Sequence, residues 1–266
     1  MIELEANISE ATWREQFPPA ARYFEYFPSE EAFRDASAPL VCQIVTMRHP
    51  DLPDCLWHLR LPEKIATDDT PTTGAYQEHI RWIETDEGWH FDDIPIAGLD
   101  GRIRGRIASS GDTVDYELTV RNESPDPWPR ALAWLCFNHC MALPFYRYRN
   151  YIFRDGAAIE TRSRVELHFC LAGHDRDWWI RADVDPADPL IATRCEDASG
   201  REYALAIAAE RAIILGQNPD WPCTDIGLLF GDVAPGDDAT VRGRIYFHRG
   251  TIKEVYKRYR EDFGGG

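Results

Sequence analysis

From Leu40 onward the chain alternates apolar and polar residues with a period of two, the pattern of strands that bury one face. That pattern predicts strands over 41–47, 56–61, 79–84, 102–108, 113–121, 131–141, 159–171, 178–184, 203–209, 212–215, 227–230 and 240–248. Asp, Gly and Pro separate them at a spacing of about ten residues, as in antiparallel sandwiches. The expected fold is therefore all-β, a large antiparallel β-sandwich. Helical patterning frames it. Before Ala38 the chain reads as partly helical, with Ser29 placed to cap a short helix carrying Glu30 and Glu31 in its first turn. At the other end Thr251 and Glu254 form a capping box, and Ile252, Val255 and Tyr259 make an apolar stripe. This last helix is expected to cover a sheet edge. The organisation that follows is an N-terminal segment, 1–38, and a single sandwich domain, 39–266.

The hairpin near residue 110 illustrates how charge patterning is read. A tight turn at Ser110-Gly111 sets Arg106 opposite Asp115 and Arg104 opposite Glu117 on one face. Ile107 then meets Val114, and Ile103 meets Leu118, on the other. The arginines at 102, 104 and 106 are thus explained by cross-strand ion pairs on a solvated face, each worth roughly 0.2–1 kcal/mol.

Composition narrows the partners. A formal charge of −16, with no basic tract, repels polyanions, so no nucleic-acid partner is expected. No apolar run approaches the roughly 18 residues of a membrane span, so no membrane partner is expected either. The N-terminus lacks a cationic stretch followed by an apolar one. Together with seven cysteines, an odd number without a CxxC pair, this points to free thiols in the cytoplasm. Oligomeric state leaves no trace in the sequence.

Chemistry concentrates in LAWLCFNHCMALPFYRYRNY, residues 132–151. An apolar strand runs into Asn138, His139 and Cys140, and a turn at Pro144 then brings Tyr146, Arg147, Tyr148, Arg149 and Asn150. Polar groups at the end of a core strand cost a few kcal/mol unless partnered, so the cluster is either a satisfied network or a site. In the strand ending LHFCLAG, Arg162, Arg164, Glu166, His168 and Cys170 share one face, while Val165, Leu167, Phe169 and Leu171 share the other. The 240–248 strand repeats the theme, with Arg242, Arg244, Tyr246 and His248 opposite Val241, Gly243, Ile245 and Phe247. Such faces belong either to a solvated convex surface or to a concave groove for an oxygen-rich ligand. Among the nine tryptophans, the adjacent Trp178 and Trp179 stand out, because one of the two must leave the core side. We take Trp179 as the candidate platform.

For metals, Cys136, His139, Cys140, His168, Cys170, His174 and Asp175 have suitable side chains. In a strand, however, Cys136 and Cys140 point away from His139, which spoils a tetrahedral site built from that strand alone. Only a set assembled between strands, around His168 and Cys170, stays open, and no metal ligand is assigned. The sequence has no phosphate-binding loop, no GxGxxG after a strand, no GxSxG and no HExxH, and no cofactor is expected.

The runs TVRNESPDPWPRALAWLCFNHCMALPF and NPDWPCTDIGLLFGDVAPGDDATVRGRIYFHRGTIKEVYKRY resemble bacterial β-sandwich proteins similar to the galactose-mutarotase-like supersandwich group. The resemblance is one of pattern over the last two thirds of the chain. It implies a carbohydrate-active protein with a sugar, uronic acid or oligosaccharide as ligand. That group includes epimerases that work with a His and a carboxylate, and polysaccharide lyases that use Asn, His, Tyr and Arg. In the lyase version Arg147 and Asn138 would neutralise a substrate carboxylate, and His139 or Tyr146 would remove the neighbouring proton. In the epimerase version His139 or His168 would be the acid and Glu166 the base. Arg147, Arg164, Glu166, Tyr246, His248 and Trp179 complete the substrate-binding set. The rival expectation is a non-catalytic module that binds sugar or a partner protein through the same face.

Overall fold

A computed structural model describes residues 1–8, 44–70, 75–77, 79–145, 149–161, 167–171, 186–197, 199–218 and 222–264. Among these residues the chain forms two antiparallel sheets face to face, with one α-helix at the C-terminal end. The first sheet runs in the order β1 (Glu3–Ala6), β2 (Ile44–His49), β3 (Leu52–Ala66), β9 (Trp128–Met141), β16 (Cys223–Val233), β15 (Ala212–Asn218) and β12 (Leu167–Cys170), with the short β4 (Ala75–Tyr76) on β3. The second runs β11 (Ala157–Thr161), β10 (Asn150–Arg154), β13 (Leu190–Glu196), β14 (Glu202–Ala209), β17 (Asp238–Arg249), β8 (Thr113–Asn122), β7 (Gly101–Ser110), β6 (Gly88–Pro95) and β5 (Ile83–Thr85). Leu135 and Phe137 of β9, Ile226 and Leu228 of β16, Leu118 and Val120 of β8 and Ile245 and Phe247 of β17 meet in the core between them. The all-β expectation is met.

The helix, α1 (Ile252–Phe263), corrects one expectation. Its capping box forms as anticipated, with the Thr251 hydroxyl accepting from the Glu254 N–H and Glu254 accepting from the Thr251 N–H at 2.7 Å. It does not cover a sheet edge. Ile252, Val255 and Tyr259 pack on the outer face of the second sheet, against Ala204, Ala206 and Ala208 of β14 and Tyr246 of β17. The alternating alanines of β14 explain the seat. Their small side chains let a helix lie close over the strand, while Leu205 and Ile207 between them fill the core.

Three further differences follow from register. The hairpin turn lies at Gly111-Asp112, so Arg106 pairs with Glu117 and Ile107 with Tyr116. Moving a turn by one residue shifts each pairing by two, which changes partners but keeps every side chain on its face. The ion-pair reading of the arginines therefore holds with new partners: Arg106 with Glu117, Arg104 with Asp238, and Arg102 with Asp93 and Glu123. Next, the single strand expected over 159–171 is two strands in different sheets, β11 beside β10 and β12 beside β15. Both carry the same alternation, so periodicity alone does not reveal the change of sheet. Lastly, β1, β4, β6, β10 and β13 were not anticipated. The helix expected after Ser29 and the strand expected over 178–184 lie outside the described residues. Among the described residues no helix is long and apolar enough to cross a membrane.

Candidate functional site

Strand β9 sits in the middle of the first sheet, between β3 and β16. Its odd-numbered residues Ala131 to Phe137 enter the core. Its even-numbered residues face outward: Leu132 and Trp134 pack with Ala66, Ile213 and Ile214, and beyond this apolar patch the outer face turns polar. One row crosses five strands in direct register, from Arg60 to Cys136, Asp225, Gly216 and His168. A second row beside it holds His58, Asn138, Cys223 and Asn218. Glu63 joins them, because a register shift between Arg60 and Lys64 brings its carboxylate 2.9 Å from the Arg60 guanidinium.

These polar groups are buried. Arg60 is 7% exposed, Glu63 8%, Asn138 7%, Asp225 3% and His168 1%. Withdrawing such groups from water costs several kcal/mol per charge before partners repay it, so a sheet face does not collect them by default. Gly216 sets the spacing within the main row. A Cβ placed there would lie 3.0 Å from His168 Cδ2 and 3.3 Å from Asp225 Oδ2, so the missing side chain leaves room for both the imidazole and the carboxylate. Trp134 packs edge-on against the His168 ring at 5.1 Å between centroids.

Protonation follows burial. Burial, helped by Arg60 and Arg48, drives the His58 pKa down to about 3, so its imidazole is neutral at pH 7. A hydrogen bond with Cys223 favours the Cys136 thiolate, but burial beside Asp225 and Glu63 outweighs it and raises the thiol to about 11. Burial lifts the Cys223 pKa as well, with Cys136 and Asp225 adding to it.

Of the residues singled out from the sequence, Cys136, Asn138 and His168 share this outer face. His139 does not. As the neighbour of Asn138 on a strand it points inward, with Nε2 3.0 Å from Thr224 Oγ1 and its ring edge-on to Phe137. Burial lowers its pKa to about 3. Asn150 also faces inward, where its amide and the Thr161 hydroxyl both reach Gln217 and tie the two sheets together. Tyr246 and His248 lie on the outer face of the second sheet, beside α1. The Tyr246 hydroxyl donates to Asp262 at 2.7 Å, and His248 stands 3.3 Å from Arg258. Next to them, a cavity of about 900 Å³ is lined by Arg104, Arg106, Arg242 and Arg244 of that face. Arg106 and Arg242 both pair with Glu117, and Arg244 pairs with Asp115 and Asp262. Tyr146, Arg147, Arg164, Glu166 and Trp179 lie outside the described residues, as do His174, Asp175 and the side chains of Cys140 and Cys170.

Sequence reasoning missed His58, Arg60, Cys223 and Asp225. The alternation in LWHLRL does place His58 and Arg60 opposite Trp57 and Leu59, and that signal was available. The run WPCTDIG holds a proline and an aspartate, and the strand expected from 227 begins at Cys223 instead.

Two antiparallel sheets closed over one core, with charged groups buried on an outer face, define the protein as a β-sandwich with a polar sheet site. No protein-family model and no curated protein matches the chain. Solved structures do. The chain is similar to a galactose mutarotase related enzyme from Lactobacillus acidophilus, with 11% identity and a TM-score of 0.43, over 82% of this chain and 94% of that one. It is similar to a galactose mutarotase-like protein from Clostridium acetobutylicum, with 12% identity and a TM-score of 0.40, over 78% and 87%. It is also similar to an α-N-acetylgalactosaminidase from Bifidobacterium bifidum, with 18% identity and a TM-score of 0.48, over 85% of this chain and 37% of that one. Galactose-mutarotase-like proteins are thus among the structures this chain is similar to, as the sequence resemblance anticipates.

Proposed function

We propose that the outer face of the first sheet is an acid–base site for a sugar or uronic acid, and that its chemistry is of the aldose epimerase or mutarotase type. In this reading Asp225 takes the proton from the anomeric hydroxyl, and His168, across Gly216, gives one to the ring oxygen as the ring opens. The reverse transfers close the ring on the other face of the carbonyl. Asn138 and the charged Arg60 hydrogen-bond substrate oxygens, and Trp134 backs the imidazole. His139, which lies on the core side, has no part in it. The observation that carries this reading is the register row itself, in which a buried carboxylate and a buried imidazole flank a glycine on one sheet face. Paired acid and base groups of this kind are worth roughly 10²–10⁴ in rate.

Polarimetry with freshly dissolved single anomers of neutral aldoses and of uronic acids tests it. Wild type should speed equilibration of at least one of them, and Asp225→Asn and His168→Gln should each lower that rate about 100-fold with the fold retained. A sugar that raises the melting temperature without turnover would instead mark a binding module. If no sugar is turned over and none shifts the melting temperature, the reading fails.

A further inference from the structure

The same sheet face holds a ligand set that the acid–base reading leaves unexplained. The Cys136 thiol, the Cys223 thiol and an Asp225 carboxylate oxygen all lie within 4.8 Å of one another. All three residues are buried, at 3%, 5% and 3% exposure. The pairing of β9 with β16 builds the cluster. Cys136 lies directly opposite Asp225, and Cys223, two residues before Asp225, projects from the same face. Cys223 Sγ is 3.4 Å from Asp225 Oδ2.

These separations suit a metal ion. A tetrahedral centre with metal–sulfur bonds of about 2.3 Å and metal–oxygen bonds of about 2.1 Å has sulfur–sulfur edges of about 3.8 Å and sulfur–oxygen edges of about 3.6 Å. The ligand atoms reach those edges with side-chain shifts of under about 1 Å. Charge suits it too. A dication that displaces the two thiol protons brings two positive charges in as two go out, so the charge of the pocket does not change. Thiolates select zinc-class ions over calcium or magnesium.

We propose that Cys136, Cys223 and Asp225 bind one zinc-class divalent ion, leaving a fourth position open. Three protein ligands with an open position let such an ion hold and polarise the oxygen of a bound molecule. The site goes beyond the carbohydrate reading, with which it shares only Asp225, and stands or falls without it.

The test is a titration of reduced, chelator-treated wild-type protein with Co²⁺ in the absence of oxygen and of any sugar. One equivalent should give a near-ultraviolet thiolate-to-cobalt band and the visible bands of tetrahedral coordination, and Zn²⁺ should remove both. Cys136→Ser and Cys223→Ser should each weaken binding at least about 100-fold, whereas Cys195→Ser should bind as wild type does. Should a serine variant not fold, Zn²⁺ protection of two thiols from a thiol reagent in wild type carries the same information. Folded, reduced protein with no charge-transfer band would overturn the proposal. So would serine variants that bind Co²⁺ like wild type, or Zn²⁺ that protects no thiol.

Discussion

Lowering the pH from 7 to 5 should remove about 4 kcal/mol of stability, and His58 and His139 should account for it. Both imidazoles are held neutral by burial, with pKa values lowered to about 3 from an ordinary value of 6.5. The unfolded chain takes up a proton at each histidine below about pH 6.5, while the folded chain refuses it until about pH 3. Stability is therefore complete above 6.5 and falls as the pH drops through that window. At pH 5 each histidine lies about 1.5 units below its unfolded pKa, which at 1.36 kcal/mol per unit is about 2 kcal/mol apiece. His49, also lowered by burial, adds in the same direction. The carboxylates Asp112 and Glu254, whose pKa values are lowered by Arg258 and by the Thr251 backbone, lose their contribution only below about pH 4.5, outside this window. Urea unfolding followed by tryptophan fluorescence at pH 7, 6 and 5, at constant ionic strength, measures the slope. The His139→Gln variant keeps a polar group near Thr224 but cannot titrate, so its loss between pH 7 and 5 should be about 2 kcal/mol smaller. That difference also cancels the effect of the overall acidic charge. A stability curve flat over this range, or a variant whose curve runs parallel to wild type, would refute the assignment.

Two structural predictions concern packing. A Cβ at Gly243 would sit 2.1 Å from Tyr116 Cζ and 2.5 Å from the Ala208 carbonyl oxygen, where the Tyr116 hydroxyl donates at 2.7 Å. The carbonyl is backbone and cannot move aside, so Gly243→Ala should cost about 3 kcal/mol or more by chemical unfolding, and a loss within error would show that the strands can separate locally. Thr251→Ala removes one half of the capping box on α1 and should cost about 1 kcal/mol, a fall of about 2 °C in melting temperature. An unchanged melting point would mean that the helix is held by its bed on β14 alone.

The sequence by itself determined the sheets' alternation, the core and the closing helix. Period-two alternation is local: it depends only on which residues of one strand face the core, so β7, β8, β9, β14 and β17 were legible one at a time. The capping box of Thr251 and Glu254 was legible for the same reason, since its partners are three residues apart. The tertiary structure alone decided which strands lie side by side. The residue range 159–171 reads as one strand yet ends in two different sheets, because membership in a sheet is fixed by distant partners. The candidate site belongs to this second kind. Asn138 and His168 were visible as polar residues on strands, but Arg60, Cys136, Asp225 and His168 fall into one row only through four successive registers. The bed that seats α1 on an outer face, and the burial of charges on the other sheet's outer face, were equally hidden. A polar residue on the second face of a strand looks the same in sequence whether that face meets water or is covered, since alternation records orientation and carries no information about what lies opposite.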